Sequence, residues 1–352
     1  MSSEEVVNFE FGVSWEVTEM EISVCVRTYR DKPLEDALDI LKSMGVLSVE
    51  VGAGAYLGKE HCDPSMLLAD SKSFEHFRLA FERRKMKISA FSVHGNPLHP
   101  QQDIARRHHQ DLIDAIDLAS RMNVQTIVTY SGCPGDSDNA RYPNWCFYPW
   151  PVENTELTAY QWDKKLVPYW KKIGAYAEDK GVKIALELQG SACVYSPDTM
   201  LRLRELTGQN AIGANLDPSH LWWQGIDPLI ATHVLSQAGC LYYFHAKDIR
   251  FDSYNQSTKG LVDSTSFRCV SERAWMFCTI GYGHSNHEWA KLMATLRAVG
   301  YDGYISVEHE DALMSLDEGL RRGVENIKSV LMTEPAAVPP AFLAQKKDGG
   351  QQ

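Results

Sequence analysis

Apolar residues recur along the chain in two alternating spacings. Short, mostly apolar runs typical of buried strands are followed by segments in which apolar residues return every three or four positions, as on one face of a helix. The strand-like runs are predicted at residues 9–15, 47–51, 87–93, 125–130, 183–188, 212–216, 240–244 and 303–307. The helical segments are predicted at residues 34–44, 73–84, 103–122, 159–180, 197–207, 287–299 and 316–332. Strands that alternate with helices in this number predict an α/β protein whose parallel sheet closes into a (β/α)8 TIM barrel.

Two connections are too long for simple strand-to-helix loops. Residues 131–158 follow the fourth predicted strand, and residues 249–282 follow the seventh. Both leave the carboxyl end of a strand, where barrel enzymes carry their active-site loops. We therefore expect one barrel domain over residues 1–332 with its site at this end, followed by a flexible tail over residues 333–352.

Charge and composition narrow the range of partners. The 352 residues carry a formal net charge of −11 and contain no lysine- or arginine-rich run, which argues against a nucleic acid or an anionic membrane as partner. The eight cysteines are scattered without a C-x-x-C pair, as expected for reduced thiols. The amino terminus lacks the features of a signal peptide, and no apolar run approaches the length of a membrane span. The sequence thus predicts a soluble, cytoplasmic protein.

Four strand ends carry a side chain that binds divalent metals. Glu187 and Asp217 are 30 residues apart and Asp217 and His245 are 28 apart, so each interval spans about one strand–helix unit, and Glu308 follows after one unit plus the long insertion. Any one of them alone is more simply a turn former or a helix cap. Together, at successive strand ends, they predict one oxygen-rich metal site that favours Mn²⁺, with Mg²⁺, Co²⁺ or Zn²⁺ as alternatives.

Three motifs around these residues resemble those of the xylose-isomerase-like barrels, a superfamily of sugar isomerases, epimerases and endonuclease-IV-type enzymes. The motifs are Asn215-Leu216-Asp217-Pro218-Ser219-His220, His245-Ala246-Lys247-Asp248, and Gly281-Tyr282-Gly283-His284 with residues 300–311. The resemblance covers residues 8–332 and implies Glu187, Asp217, His245 and Glu308 as metal ligands. In the family's epimerases the two glutamates also exchange protons with the substrate carbon, which implies a catalytic role for Glu187 and Glu308.

That implied role is chemically consistent. A divalent ion that binds a carbonyl and its neighbouring hydroxyl acidifies the C–H bond between them and stabilises the resulting enediolate. A carboxylate on each face can then remove and return the proton. Many similar sequences carry a histidine two residues after the first glutamate, where this chain has Gln189, which cannot act as a base. His94 and His220 are therefore further candidates for proton transfer, with a structural role as the alternative for each.

Further polar and aromatic residues are predicted at the same rim. Aromatic faces stack on the C–H faces of sugars, and no glycine-rich phosphate cradle is evident, so we expect an unphosphorylated sugar or glycoside as substrate. Ordinary packing and surface ion pairs are the alternative explanation for these residues. The candidate substrate contacts are Trp15, His99, Trp145, Gln189, Lys247, Asp248 and Arg273.

The sequence leaves the reaction itself open between classes that share the enediolate. An isomerase or epimerase returns the proton to carbon, whereas a lyase related to the 3-keto-glycoside and C-glycoside deglycosidases expels the aglycone. We place the isomerase or epimerase first. An endonuclease-IV-like repair enzyme, disfavoured by the net charge, and a non-catalytic sugar-binding barrel are the remaining alternatives. We expect a homo-oligomer, with a small accessory subunit as a further option for the lyase.

Overall fold

Eight strands of the described part of the chain form a closed parallel barrel, and two more form a separate pair. The computed structural model describes residues 20–334. The barrel strands are β1 (Glu21–Cys25), β2 (Ser48–Gly52), β3 (Lys87–Ser92), β4 (Thr126–Thr129), β5 (Lys183–Glu187), β6 (Ile212–Leu216), β7 (Leu241–Ala246) and β10 (Tyr304–Val307), and an antiparallel pair consists of β8 (Asp248–Phe251) and β9 (Trp275–Cys278). Around the barrel the order is β1, β10, β7, β6, β5, β4, β3 and β2. This arrangement confirms the predicted (β/α)8 TIM barrel of the α/β class.

Helices follow the barrel strands on the outside. The longer ones agree with the predicted segments to within a few residues, except that the segment predicted at 159–180 is part of one run that begins at Val152 and includes a π-helical stretch, Gln161–Leu166. The helices are α1 (Leu34–Ser43), α2 (Pro64–Ala69), α3 (Ser71–Glu82), α4 (Gln102–Met122), α5 (Val152–Tyr160), α6 (Val167–Asp179), α7 (Pro197–Thr207), α8 (Pro218–Trp223), α9 (Pro228–Gln237), α10 (Ser253–Lys259), α11 (Asn286–Ala298) and α12 (Leu316–Val330).

Helix α9 is an element that the apolar spacing does not predict. It begins with the sequence Asp227-Pro228, and the Asp227 carboxylate accepts a hydrogen bond of 2.8 Å from the backbone N–H of Leu229. An aspartate cap followed by proline is a strong helix start signal. The signal is therefore present in the sequence, but the helix is short and its apolar residues do not form a clear stripe.

The first barrel strand lies later in the chain than predicted. Residues 9–15, the predicted first strand, fall outside the described residues, as do the candidate Trp15 and residues 335–352 of the tail. The barrel closes instead through β1, which pairs in parallel with both β2 and β10. The alternation of polar and apolar residues in Glu21-Ile22-Ser23-Val24-Cys25 suits a strand between the barrel interior and its helices. The hydroxyls of Ser23 and Ser89 form a hydrogen bond of 2.7 Å in the interior.

The insertion after β7 has its own small sheet. Strand β8 follows β7 after Lys247, and it pairs with β9 so that Ile249 lies opposite Phe277.

All eight cysteines lie in the described part of the chain, and all are free thiols. No helix between residues 20 and 334 is both long and apolar enough to cross a membrane.

Candidate active site

The four predicted metal ligands meet at the carboxyl end of the barrel. Glu187 is the last residue of β5, Asp217 follows β6, His245 is the penultimate residue of β7, and Glu308 follows β10. One oxygen or nitrogen atom from each lies within 4.8 Å of those from the others. Because parallel strands in a barrel end at one rim, equal spacing along the chain becomes proximity in space.

Asp217 is both a helix cap and a member of this cluster. Its Oδ1 accepts hydrogen bonds from the backbone N–H and the hydroxyl of Ser219, at 2.8 and 2.7 Å, at the start of α8. Its Oδ2 points away from the cap, has no hydrogen bond within the described part of the chain, and is buried. The two explanations weighed from the sequence are therefore compatible, because each uses a different oxygen.

Three buried atoms of the cluster lack a well-aligned hydrogen bond from any described residue. They are Glu187 Oε1, Asp217 Oδ2 and His245 Nδ1. Charged or ring nitrogens approach the two oxygens, with His220 Nε2 at 3.0 Å from Glu187 Oε1 and Lys247 Nζ at 2.9 Å from Asp217 Oδ2. A buried polar atom without a hydrogen bond is costly unless something else satisfies it. Lone pairs converging in this way fit a divalent cation.

Glu187 lies between two imidazoles. His94, just after β3, is hydrogen-bonded through Nε2 to Glu187 Oε2 at 2.7 Å, and His220 approaches the other oxygen. Burial alone would raise the pKa of Glu187, but His94 and His220 lower it well below its usual value. The structure thus places both histidine candidates against the Glu187 carboxylate. Gln189 contacts Glu187 through the backbone, where its N–H donates to the Glu187 carbonyl at 3.0 Å.

Lys247 supplies a buried positive charge to the cluster. Its Nζ lies 2.8 Å from Glu308 Oε2 and 2.9 Å from Asp217 Oδ2, and the residue is 3% exposed. Burial would raise the pKa of Glu308, but Lys247 and His245 lower it to about 2. Both glutamates are therefore ionised at neutral pH, as metal ligands must be.

Glu50 contacts the cluster through His245, a contact that the sequence does not predict. Its Oε2 lies 2.9 Å from His245 Nε2 and accepts a hydrogen bond of 2.7 Å from the Ser306 hydroxyl. The only signal in the sequence is a charged residue inside the apolar strand Ser48-Val49-Glu50-Val51-Gly52. That signal identifies an unusual residue, but it does not identify its partner, which lies 195 residues away.

A cavity of about 310 Å³ opens beside the cluster. Its wall includes Arg27, His94, Tyr130, Lys247 and Glu308. The volume is at the lower end of the range for ligand pockets, about 300–1,000 Å³. The cavity therefore offers room for a molecule of about the size of a single sugar ring next to the metal-binding atoms.

An aromatic wall borders the cluster on another side. We use this name for Trp145, Trp223, Trp275 and Phe277. Trp223 and Trp275 stack with ring centroids 5.2 Å apart, and Trp145 meets Trp223 edge-on at 6.5 Å. Lys247 Nζ lies 4.8 Å from the centre of the Phe277 ring, which connects the wall to the cluster.

Asp248 follows Lys247 in sequence, but its carboxylate faces the turn at residues 281–284. Its oxygens accept hydrogen bonds from the backbone N–H groups of Gly281, Gly283 and His284, at 2.9 to 3.2 Å, and from the Trp289 indole at 3.2 Å. The residue is fully buried. The geometry therefore assigns Asp248 to holding the turn before α11 rather than to substrate contact.

The contacts of Arg273 and His99 are with residues outside the cluster. The Arg273 guanidinium lies over the rings of Phe267 and Trp275, and its Nε donates to the Trp275 carbonyl at 3.1 Å. His99 Nδ1 accepts a hydrogen bond of 3.0 Å from the backbone of Gln101. Arg273 therefore organises the insertion, and His99 closes a local turn after β3.

Comparison with known proteins identifies a family and several relatives. The model of the xylose isomerase-like TIM barrel family matches residues 38–330. The chain is 34% identical over 316 residues to the uncharacterized protein YfiH of Bacillus subtilis, covering 89% of this chain and 99% of that protein. It is 28% identical over 162 residues to the inosose dehydratase of Geobacillus kaustophilus, covering 46% of this chain and 50% of that enzyme.

Among solved structures, the chain resembles the probable 3-DHS dehydratase AsbF of Bacillus anthracis. The TM-score is 0.62 at 16% identity, covering 88% of this chain and 99% of that one. At such low identity the likeness concerns the fold alone. The family model, in contrast, spans most of the chain, and the matched range includes all four candidate metal ligands. The chain therefore belongs to the xylose isomerase-like TIM barrel family.

Proposed function

We propose that the chain is a divalent-metal-dependent enzyme that removes a proton from the carbon next to a carbonyl in a sugar or a sugar-like polyol. The observation that carries this proposal is the cluster of Glu187, Asp217, His245 and Glu308, whose ligand atoms converge. Three buried atoms in it, Glu187 Oε1, Asp217 Oδ2 and His245 Nδ1, lack a well-aligned hydrogen bond from any described residue. These four residues would hold the cation, and Mn²⁺ suits their three carboxylates and one imidazole. When bound, the cation supplies Lewis acidity that makes the substrate C–H bond acidic.

The chain's own residues supply the proton transfer. Glu187 and Glu308 are both ionised, so each can accept a proton from carbon. Glu308 lines the cavity, and Glu187 lies behind His94, which lines it too. His94 orients Glu187 through the 2.7 Å hydrogen bond, and His220 lies against the other oxygen. The Lys247 ammonium, between Asp217 and Glu308, stabilises negative charge that develops on a substrate oxygen. Return of the proton to carbon makes the enzyme an isomerase or epimerase.

Elimination is the second candidate reaction, and a specific observation favours it. The relative of Geobacillus kaustophilus that aligns over 162 residues is an inosose dehydratase. Loss of a hydroxyl two carbons from the carbonyl carbon, or of an aglycone at that position, requires the same first proton removal. The cavity of about 310 Å³ suits a single ring.

Incubation in deuterated water separates these outcomes. The chain loaded with Mn²⁺ is supplied with a ketohexose, with inosose and with a 3-keto-glucoside, and the products are followed by NMR and mass spectrometry. Deuterium at carbon without loss of a group supports the isomerase or epimerase, whereas loss of water or of the aglycone supports the lyase.

The metal is tested separately from the substrate. Isothermal titration with Mn²⁺ is compared for the wild type, Glu187→Gln and the control Glu325→Gln, which changes an exposed carboxylate on α12. We expect the control to bind Mn²⁺ as the wild type does and Glu187→Gln to lose binding. A wild-type chain without Mn²⁺ affinity, or a Glu187→Gln chain with full affinity, would overturn the proposal.

A further inference from the structure

Glu50 is a charged residue in the middle of an apolar strand. It is fully buried, and its neighbours in β2 are Val49 and Val51. A carboxylate in such surroundings is strongly unfavourable unless it is paired and hydrogen-bonded. Its presence therefore calls for a specific partner.

That partner lies across the barrel. Strands β1 and β10 separate β2 from β7, yet Glu50 Oε2 reaches His245 Nε2 at 2.9 Å. The Ser306 hydroxyl of β10 donates to the same oxygen at 2.7 Å. Two contacts to one oxygen fix the direction of the carboxylate and, through it, the plane of the His245 ring.

The contact also determines which ring nitrogen of His245 carries a hydrogen. An ionised carboxylate oxygen only accepts hydrogen bonds, so His245 Nε2 is the protonated nitrogen that donates to Glu50. The lone pair of a neutral ring then resides on Nδ1. That atom lies 3.5 Å from Glu187 Oε2 and 3.5 Å from Glu308 Oε2, within the metal-binding cluster.

We propose that Glu50 is a positioning residue, which holds His245 in the ring orientation and the tautomer that allow Nδ1 to bind the metal. This inference rests on the proposed function, because it presumes the cation in the cluster. Carboxylate partners of a metal-binding histidine also increase the basicity of the ligand, and their loss typically weakens metal affinity by about 10- to 100-fold.

One competing arrangement uses the same carboxylate differently. Cys25, Glu50 and Glu308 also offer ligand atoms within 4.8 Å of one another, and Glu50 Oε1 has no hydrogen bond from any residue between 20 and 334. If Glu50 were instead a direct ligand of a second ion, removal of the Cys25 thiol would change the number of ions bound. The number of ions per chain therefore separates positioning from direct ligation.

The test measures Mn²⁺ binding by titration calorimetry and thermal unfolding of the metal-free chain. The variants are Glu50→Gln, Ser306→Ala and Cys25→Ser. The matched control is Glu21→Gln, the same chemical change in β1, where the carboxylate bonds to Ser48 and Lys87 instead of the cluster. Because it removes only a neutral hydroxyl and leaves the contact between Glu50 and His245 in place, Ser306→Ala keeps the test informative if Glu50→Gln does not fold.

We expect one Mn²⁺ per chain, about 10-fold or more weaker binding in Glu50→Gln, and about threefold weaker binding in Ser306→Ala. Glu21→Gln and Cys25→Ser should bind as the wild type does. Wild-type affinity in both Glu50→Gln and Ser306→Ala, or a second ion that Cys25→Ser removes, would overturn the positioning role while leaving the proposed function intact. A wild-type chain that binds no Mn²⁺ would overturn both.

Discussion

Asp248 offers a direct measurement of how much one buried carboxylate contributes to this fold. It accepts hydrogen bonds from the backbone of Gly281, Gly283 and His284 and from the indole of Trp289, and it is fully buried. The change Asp248→Asn keeps the shape of the side chain but replaces one acceptor oxygen with an NH2 group. Either orientation of the amide then leaves at least one buried N–H donor without an acceptor and removes the charge from the remaining hydrogen bonds.

The expected cost follows from these contacts. A hydrogen bond to a charged group contributes about 1.5–3 kcal/mol, and a buried donor left unsatisfied costs about 1–3 kcal/mol. We therefore expect Asp248→Asn to lower the free energy of unfolding by about 2–4 kcal/mol. Urea unfolding followed by tryptophan fluorescence measures this difference, and a lower midpoint at unchanged slope would identify a loss of native stability.

The matched control is Asp252→Asn, in the same insertion. Asp252 is exposed and accepts one hydrogen bond of 2.8 Å, from Asn255 at the start of α10. Its substitution should cost at most about 1 kcal/mol. Equal stability of Asp248→Asn and the wild type would refute the reasoning, and a stable Asp248→Asn variant with a raised KM would restore Asp248 as a substrate contact.

Three further outcomes are expected. A Cβ at Gly283 would lie 1.9 Å from the Ile249 carbonyl oxygen, so Gly283→Ala should lower the free energy of unfolding in urea by about 2–3 kcal/mol. Gly323 lies inside α12, where a Cβ would make only ordinary van der Waals contacts, so Gly323→Ala should be neutral or stabilise by up to about 1 kcal/mol. Equal effects of the two substitutions would contradict this. Although burial opposes it, hydrogen bonds from Thr265 lower the pKa of Asp263 to about 2. The pKa of Asp263 in the folded state is therefore below its value of about 3.9 in the unfolded chain. The wild type should be more stable than Asp263→Asn by its full margin above about pH 3.9, and this margin should vanish as the pH falls through about 2. A difference in stability that does not depend on pH would contradict this prediction. Mn²⁺ at 100 times its dissociation constant should raise the free energy of unfolding by about 2.7 kcal/mol, and EDTA should reverse the gain; no change in unfolding on adding Mn²⁺ would speak against a native-state metal site.

The sequence by itself determined the barrel and the proximity of the four candidate metal ligands. Alternating strand and helix periods specify a parallel sheet, and in a closed parallel sheet the strand ends share one rim. Spacing by one strand–helix unit therefore predicts that Glu187, Asp217 and His245 lie close together, as they do in the barrel. The strand and helix periods and the intervals between these residues are local or periodic properties, so the sequence alone is enough to predict them.

Only the tertiary structure decided what each polar side chain faces. Lys247, between β7 and β8, is followed by Asp248, the first residue of β8. Lys247 reaches the candidate metal-binding cluster, whereas Asp248 holds a turn that begins 33 residues further on. Glu50 joins His245 across the barrel interior, and His94 and His220 approach the two oxygens of Glu187. Strand order, barrel closure and side-chain direction determine such partners. These are cooperative properties of the packed fold, so the partners do not occur at a regular interval along the sequence.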